Sequence, residues 1–253
     1  MALLAVNDLT KHFGGVKALE GVSFAVGEGE IVALIGPNGA GKTTCFNVIN
    51  GLLPPTGGGI HLAGQDLGSL PPYHRARLGL ARTFQNIQLF GGMSVLENVL
   101  TGRHLRQEVG LLEALLPLPR VRRAEARAQE RALELLDLVG LGEKAAAPAE
   151  ALAYGDQRRL EIARALAQEP RLLLMDEPAA GLNPRETEDL MALLEQLRDL
   201  GVTLLVIEHD MTLVMGISHR VVVLDHGEVI AVGPPSEIRR DPRVIEAYLG
   251  REE

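Results

Sequence analysis

Two rhythms of apolar and polar residues divide the chain. In the first third, residues 3–6, 22–26, 31–35 and 60–62 form apolar or alternating runs with turn residues between them, which predicts strands. Residues 94–140 change to a helical rhythm. Within it, residues 120–141 carry Leu133, Leu135, Leu136 and Leu138 toward one end and Arg122, Arg123, Arg127 and Arg131 along the rest. Beyond Tyr154, strand and helix alternate. Residues 172–175, 202–207 and 221–224 are short apolar runs of the kind buried in a parallel sheet, with helices expected at 184–200 and 210–216. The pattern predicts an α/β fold with a core of parallel strands, an N-terminal antiparallel β region and a helical insertion. The expected layout is a single domain over residues 1–253, with its core at 1–85 and 157–253 and the helical subdomain at 86–156. Ligands of such a sheet gather at the carboxyl ends of its strands.

Composition narrows the partners. Of 253 residues, 46% are hydrophobic and 23% charged, an ordinary globular balance. A net charge of −8 argues against nucleic acid as a partner. No apolar run is long enough to span a bilayer, and the first seven residues are too short and uncharged for a signal peptide. The single cysteine, Cys45, excludes an internal disulfide framework and reads as a packing residue. A cytosolic chain is expected, held at a membrane only through partners. The arginines of residues 120–141 read as a solvated helix face laced with Glu125 and Glu130, or as a docking surface for acidic lipid or protein.

The chemistry is concentrated in a few short stretches. Residues 36–44 read Gly36-Pro37-Asn38-Gly39-Ala40-Gly41-Lys42-Thr43-Thr44, a phosphate loop placed between a buried strand and a helical pattern. Its glycines let successive backbone N–H groups turn inward at phosphate oxygens, and the following helix adds its positive end. Lys42 supplies charge to the outer phosphates, and Thr43 a hydroxyl ligand for Mg²⁺. The strand at 172–175 ends in Asp176 and Glu177, where Asp176 is placed for the Mg²⁺ shell and Glu177 to polarise an attacking water. The strand at 202–207 leads to His209, placed to contact the terminal phosphate. Gln85 ends a further short strand candidate and offers an amide to Mg²⁺ or to a water. Residues Leu152-Ala153-Tyr154-Gly155-Asp156 open another helix whose start suits an anion. One nucleotide does not need two such ends from one subunit, so this one is expected to serve the nucleotide of a second copy.

Taken together and in this order, the motifs resemble those of the ATP-binding cassette ATPases of membrane transporters, over essentially the whole chain. The resemblance implies a phosphate-loop NTPase core that binds ATP with Mg²⁺, with Phe13 stacking on adenine. It implies Gln85 in a mobile glutamine loop, a signature motif at residues 152–156 acting in trans, and His209 as a switch histidine. It also implies a homodimer, or a heterodimer with a related subunit, at the cytoplasmic face of the membrane beside integral permease subunits. Residues 152–155, 177–184, 208–211 and the tail Ala247-Tyr248-Leu249-Gly250 look like the import ATPases for branched-chain amino acids, which implies a substrate-binding protein as donor. A cassette for another cargo, including export, and a soluble non-transport cassette are the alternatives. Ala153, Tyr154 and Asp156 depart from the usual Leu-Ser-Gly-Gly-Gln signature, and Asn183 stands where Asp is commoner. Asp156 suits a helix start but is a poor neighbour for phosphate unless it points away. Residues 87–93 read either as a groove for a helix of the membrane subunit or as packing of the helical subdomain.

Overall fold

The apolar runs of the first third grow into longer strands than their hydrophobic centres suggest. The computed structural model describes residues 2–85, 87–106 and 119–249. In it β1 (Ala2–Phe13) and β2 (Val16–Gly27) pair antiparallel along nearly their whole length. Polar residues such as Thr10 and Lys11 stay in the ladder because backbone bonds, not side-chain hydrophobicity, hold it. Next come β3 (Ile31–Ile35), α1 (Lys42–Asn50), β4 (Gly57–Leu62), β5 (Gln65–Asp66), α2 (Pro72–Arg77) and β6 (Leu80–Arg82). Then follow α3 (Val95–Gly102), α4 (Pro119–Leu138) and α5 (Tyr154–Leu166). The chain continues with β7 (Leu172–Asp176), α6 (Pro184–Asp199), β8 (Thr203–Ile207), α7 (Met211–Ile217), β9 (Arg220–Asp225), β10 (Glu228–Gly233), α8 (Pro235–Ile238) and α9 (Pro242–Leu249).

Two sheets result. One is antiparallel, in the order β2-β1-β4-β5. The other runs β10-β9-β3-β8-β7-β6, parallel except where β10 pairs with β9. All five residues of β3, β7 and β8 are buried, as expected for strands covered on both faces. Register sets the working edge. Ile207 of β8 lies opposite Leu34 of β3 on one side and Asp176 of β7 on the other, so the three strands end level.

Of the described residues, those within Met1–Gln85 and Arg171–Glu253 make one compact unit and those within Asn86–Pro170 another. The helical unit therefore runs past the expected boundary at 156, because α5 packs with α3 and α4. Gln85 also departs from expectation. It does not end a strand but lies beyond β6, which stops at Arg82.

Within the helical unit, Ser94 and Glu97 form a reciprocal capping box that starts α3. Buried Asn98 accepts from the Phe90 N–H and donates to the Phe90 and Ser94 carbonyls, which fixes the chain before that cap. Phe90 and Met93 nevertheless stay exposed, so residues 87–93 are not simply core packing. On α4, Arg120, Arg122, Arg123 and Arg127 are exposed, and Arg131 pairs with Glu134 at 2.6 Å. Gly250, part of the tail resemblance, lies outside the described residues.

An ion pair helps to tie the two sheets. Arg220, at the start of β9, donates to both oxygens of Glu30 at 2.5 and 2.7 Å, and its other contact is the Ala25 carbonyl on β2. Burial raises the Glu30 pKa, but the Arg220 hydrogen bonds and the Gly27 N–H outweigh it, and the net direction is downward from 4.5. A depressed carboxylate stabilises the fold fully above its unfolded value, and that contribution is lost as pH falls through the lower folded value. Glu30→Gln is expected to cost about 1–2 kcal/mol at pH 7, the scale of a partly exposed charge-assisted pair. Urea unfolding across pH should show the gap to the parent protein closing below about pH 4.

Candidate functional site

The phosphate loop is shaped by backbone angles that only glycine adopts at ease. Gly36, Gly39 and Gly41 have φ of 152, 84 and 99°. Packing adds a second demand at two of them. A Cβ on Gly36 would lie 2.1 Å from the Leu224 carbonyl oxygen, and one on Gly41 2.5 Å from that of Ala18. Gly41 caps α1, whose first residues are Lys42, Thr43 and Thr44. Ala40 is buried, and its carbonyl accepts from the Gly227 N–H at 3.1 Å. The Lys42 ammonium folds back into its own loop, donating to the Gly36 carbonyl at 2.6 Å and that of Pro37 at 2.9 Å. Burial lowers the Lys42 pKa, against the charges of Glu177 and Asp176. The loop and the acidic strand end therefore share one electrostatic neighbourhood.

A cavity of about 670 Å³ beside the loop is lined by Pro37, Asn38, Gly39, Asp225, Arg243 and Glu246 among others. Behind the loop, Cys45 is fully buried, and burial pushes its thiol up to about 12. Tyr248 of α9 lies against the Gly36 backbone, and burial raises its pKa.

At the end of β7 the two acids are treated differently. Asp176 is buried and accepts from Arg82 at 2.8 Å. Burial raises its pKa, and the Arg82 hydrogen bond opposes that. Glu177 has φ of 49°, left-handed backbone that costs a non-glycine residue energy. The turn is held by the Glu177 N–H bonded to the Ile207 carbonyl at 2.9 Å. It leaves the Glu177 carboxylate accepting from the Gln85 amide at 2.9 Å and 3.8 Å from His209 Nδ1. The His209 side chain is 69% exposed. Gln85 thus meets Glu177 here.

Three groups at this edge escape a reading by motif. Glu208 is buried, with one oxygen accepting from the Ala179 N–H at 2.8 Å and the other from His209 N–H at 3.1 Å. It welds the turn after β7 to the turn after β8. Burial raises its pKa against those backbone donors. Arg82 and its partner Asn47 are the others. The available signal was a charged residue inside or at the end of an apolar strand, which buries only when partnered.

Phe13 ends β1 and is 47% exposed, with Lys11 Nζ 5.0 Å from its ring centroid. In the helical unit, Leu152 and Ala153 lead into α5, and Tyr154, Gly155 and Asp156 make its first turn. The Gln157 amide holds the Leu152 carbonyl at 3.0 Å, and Tyr154 accepts from Arg158 at 3.0 Å. The charge of Asp156 is answered by Lys144.

A glycine-shaped loop with a lysine, a hydroxyl at a helix start and one buried carboxylate suits a phosphate chain carrying a hard divalent ion. Among the described residues no cluster of three or more His, Cys, Asp or Glu groups would hold a metal unaided. That donor set fits Mg²⁺, which takes few protein ligands and relies on phosphate oxygens and water.

A family model described as ABC transporter matches residues 19–180, and one described as Branched-chain amino acid ATP-binding cassette transporter matches residues 228–253. The chain is 52% identical over 249 residues to the high-affinity branched-chain amino acid transport ATP-binding protein LivG of Salmonella typhimurium, with 98% of each covered. A crystal structure of an ATP-binding cassette of an ABC transporter, in its ADP conformation, is 33% identical with a TM-score of 0.86, covering 99% of this chain and 100% of that one. The dimeric structure of a bacterial ABC transporter cassette is 28% identical with a TM-score of 0.77, covering 92% and 98%. The chain belongs to the ATP-binding cassette (ABC) transporter family, as its ATP-binding subunit.

The Glu208 bridge generates a test. Gln at 208 sets an N–H₂ against a backbone donor, so one bond is lost and one donor left bare. Glu208→Gln is expected to lower stability by about 1–3 kcal/mol. Denaturant unfolding measures it, and the lost bond is expected at the Ala179 N–H, because the other oxygen takes both the His209 and Asp210 N–H groups.

Proposed function

We propose that this cassette hydrolyses ATP to drive import of branched-chain amino acids through separate permease subunits, supplied by a substrate-binding protein. The observation that carries the reading is the Glu177 carboxylate at the end of β7, accepting from Gln85 and lying 3.8 Å from His209, next to buried Asp176 and on the same sheet edge as the Lys42 loop. The import assignment draws on the 52% identity to LivG and on the match over residues 228–253. The kinship with transporter ATP-binding proteins supports a peripheral subunit at the cytoplasmic face, and among the described residues no helix is long and apolar enough to cross a membrane.

In this reading, backbone N–H groups of residues 36–44 and the start of α1 hold the phosphates of ATP, and Phe13 offers a ring face to adenine. Lys42 exchanges its two loop carbonyls for phosphate oxygens. Thr43, Asp176 and Gln85 would hold Mg²⁺. When bound, Mg²⁺ neutralises charge that builds on the phosphate oxygens. Glu177 takes the proton of the attacking water, and His209 orients that water and steadies the terminal phosphate. Residues Leu152, Ala153, Tyr154, Gly155 and Asp156 act on the nucleotide of a second subunit, identical or related. Ala153 brings no hydroxyl, so the backbone N–H groups of the first turn of α5 carry that contact. The Lys144 partner of Asp156 offsets a carboxylate that would otherwise repel phosphate.

Two substitutions test the reading. Glu177→Gln keeps size and hydrogen bonding but not basicity. It is expected to retain ATP affinity and slow hydrolysis by about 10²–10⁴, the contribution of a positioned base. ATP should then hold it as a dimer in light scattering. Hydrolysis at the parent rate would mean that Glu177 is not the base. Gly155→Asp leaves the phosphate loop intact but puts bulk and negative charge at the helix start. It should bind ATP as a monomer with near-parent affinity, fail to dimerise and fail to turn over. A normal ATP-dependent dimer of that variant would remove the signature residues from the site.

A further inference from the structure

We propose that Arg82 is a positioning residue for Asp176 and links its setting to the loop of Gln85. The proposal rests on the reading of Asp176 as a metal-site residue. Arg82 ends β6, in parallel register with Leu174 of β7. Its guanidinium reaches two ways. Nη2 donates to Asp176 Oδ2 at 2.8 Å, and Nη1 donates to Asn47 Oδ1 at 2.7 Å. Asn47 belongs to α1, the helix that opens with Lys42 and Thr43. One planar cation therefore spans the acidic strand end and the helix of the phosphate loop.

Two rings confine it. The Arg82 Cζ lies 5.7 Å from the Phe46 ring centroid and 5.2 Å from that of Phe84. The side chains of Arg82 and Asp176 are 5% and 4% exposed. A guanidinium forked between two acceptors, stacked on aromatic faces and shielded from water has one favoured placement, and its charge-assisted bonds impose that placement on the carboxylate. Phe84 precedes Gln85, whose amide reaches Glu177 at 2.9 Å. A shift of this segment would draw a ring away from the group that holds Asp176. Lysine would supply the charge of Arg82 but not the fork, so a requirement for arginine separates positioning from simple charge pairing.

The test uses the full chain with ATP, with Mn²⁺ as the metal probe followed by electron paramagnetic resonance. The variants are Arg82→Lys and Asn47→Ala, with Asp176→Asn as reference. Loss of an outer partner weakens metal binding by about 10–100-fold at sites of this kind, so Arg82→Lys should weaken Mn²⁺ at least tenfold, and Asn47→Ala, which frees one arm, about threefold. ATP affinity measured in chelator should stay within about twofold of the parent for both, since the metal-free phosphate contacts are untouched. If Asp176→Asn weakens Mn²⁺ and neither other variant does, Arg82 does not position Asp176, while the reading of Asp176 stands. If Asp176→Asn leaves Mn²⁺ affinity unchanged, Asp176 is not a metal residue and the proposal falls with it. Should Arg82→Lys fail to fold, Asn47→Ala decides: unchanged Mn²⁺ affinity there overturns the proposal.

Discussion

Three parallel strands that end level with one another are the constraint on which this molecule depends. Leu34, Ile207 and Asp176 lie side by side across β3, β8 and β7. The phosphate loop, Glu208 and Glu177 are what the chain supplies just beyond those ends. A slip of one residue in any ladder would turn side chains to the opposite face and take the acid away from the lysine. The apolar content of β3, β7 and β8 therefore does more than fill a core. It fixes register, and register fixes chemistry.

Such an edge gathers buried polar groups, which are costly unless partnered. Most are answered, although the Arg82 Nε is buried without a hydrogen-bond partner. Asp176 has Arg82, Arg82 has Asn47 and two ring faces, and Glu208 has the N–H groups of Ala179 and His209. Lys42 is the instructive case, since its ammonium is satisfied by carbonyls of its own loop. Those contacts are ones that phosphate oxygens can take over. The strained backbone of Glu177 fits the same logic: the turn that aims its carboxylate is stabilised by the hydrogen bond its N–H donates to the next strand.

Much of this was legible in the sequence. Continuous apolar runs gave away the parallel strands, and Lys42, Asp176, Glu177 and His209 stood at their ends in an order that carries meaning. Strand lengths were not legible, because β1 and β2 continue through polar residues held by backbone pairing alone. Nor was the end of the helical unit, since the packing of α5 on α3 and α4 is a tertiary fact that sequence spacing does not report. Gln85 reads as the end of a short strand candidate, yet pairing with β7 carries the strand only as far as Arg82. Arg82, Asn47 and Glu208 were invisible as functional residues. Their meaning lies in contacts between segments far apart in the chain. Asp156 shows the converse: its charge was conspicuous in the sequence, and its partner Lys144 was not.

The central claim is that this site consumes ATP to move branched-chain amino acids. The most direct measurement joins the cassette to its native permease subunits in lipid vesicles, with the substrate-binding protein outside. ATP hydrolysis is then followed with and without leucine. The account predicts that leucine-loaded binding protein raises hydrolysis and that labelled leucine accumulates in step with phosphate release. Hydrolysis indifferent to leucine in the assembled complex, with no leucine moved, would contradict it.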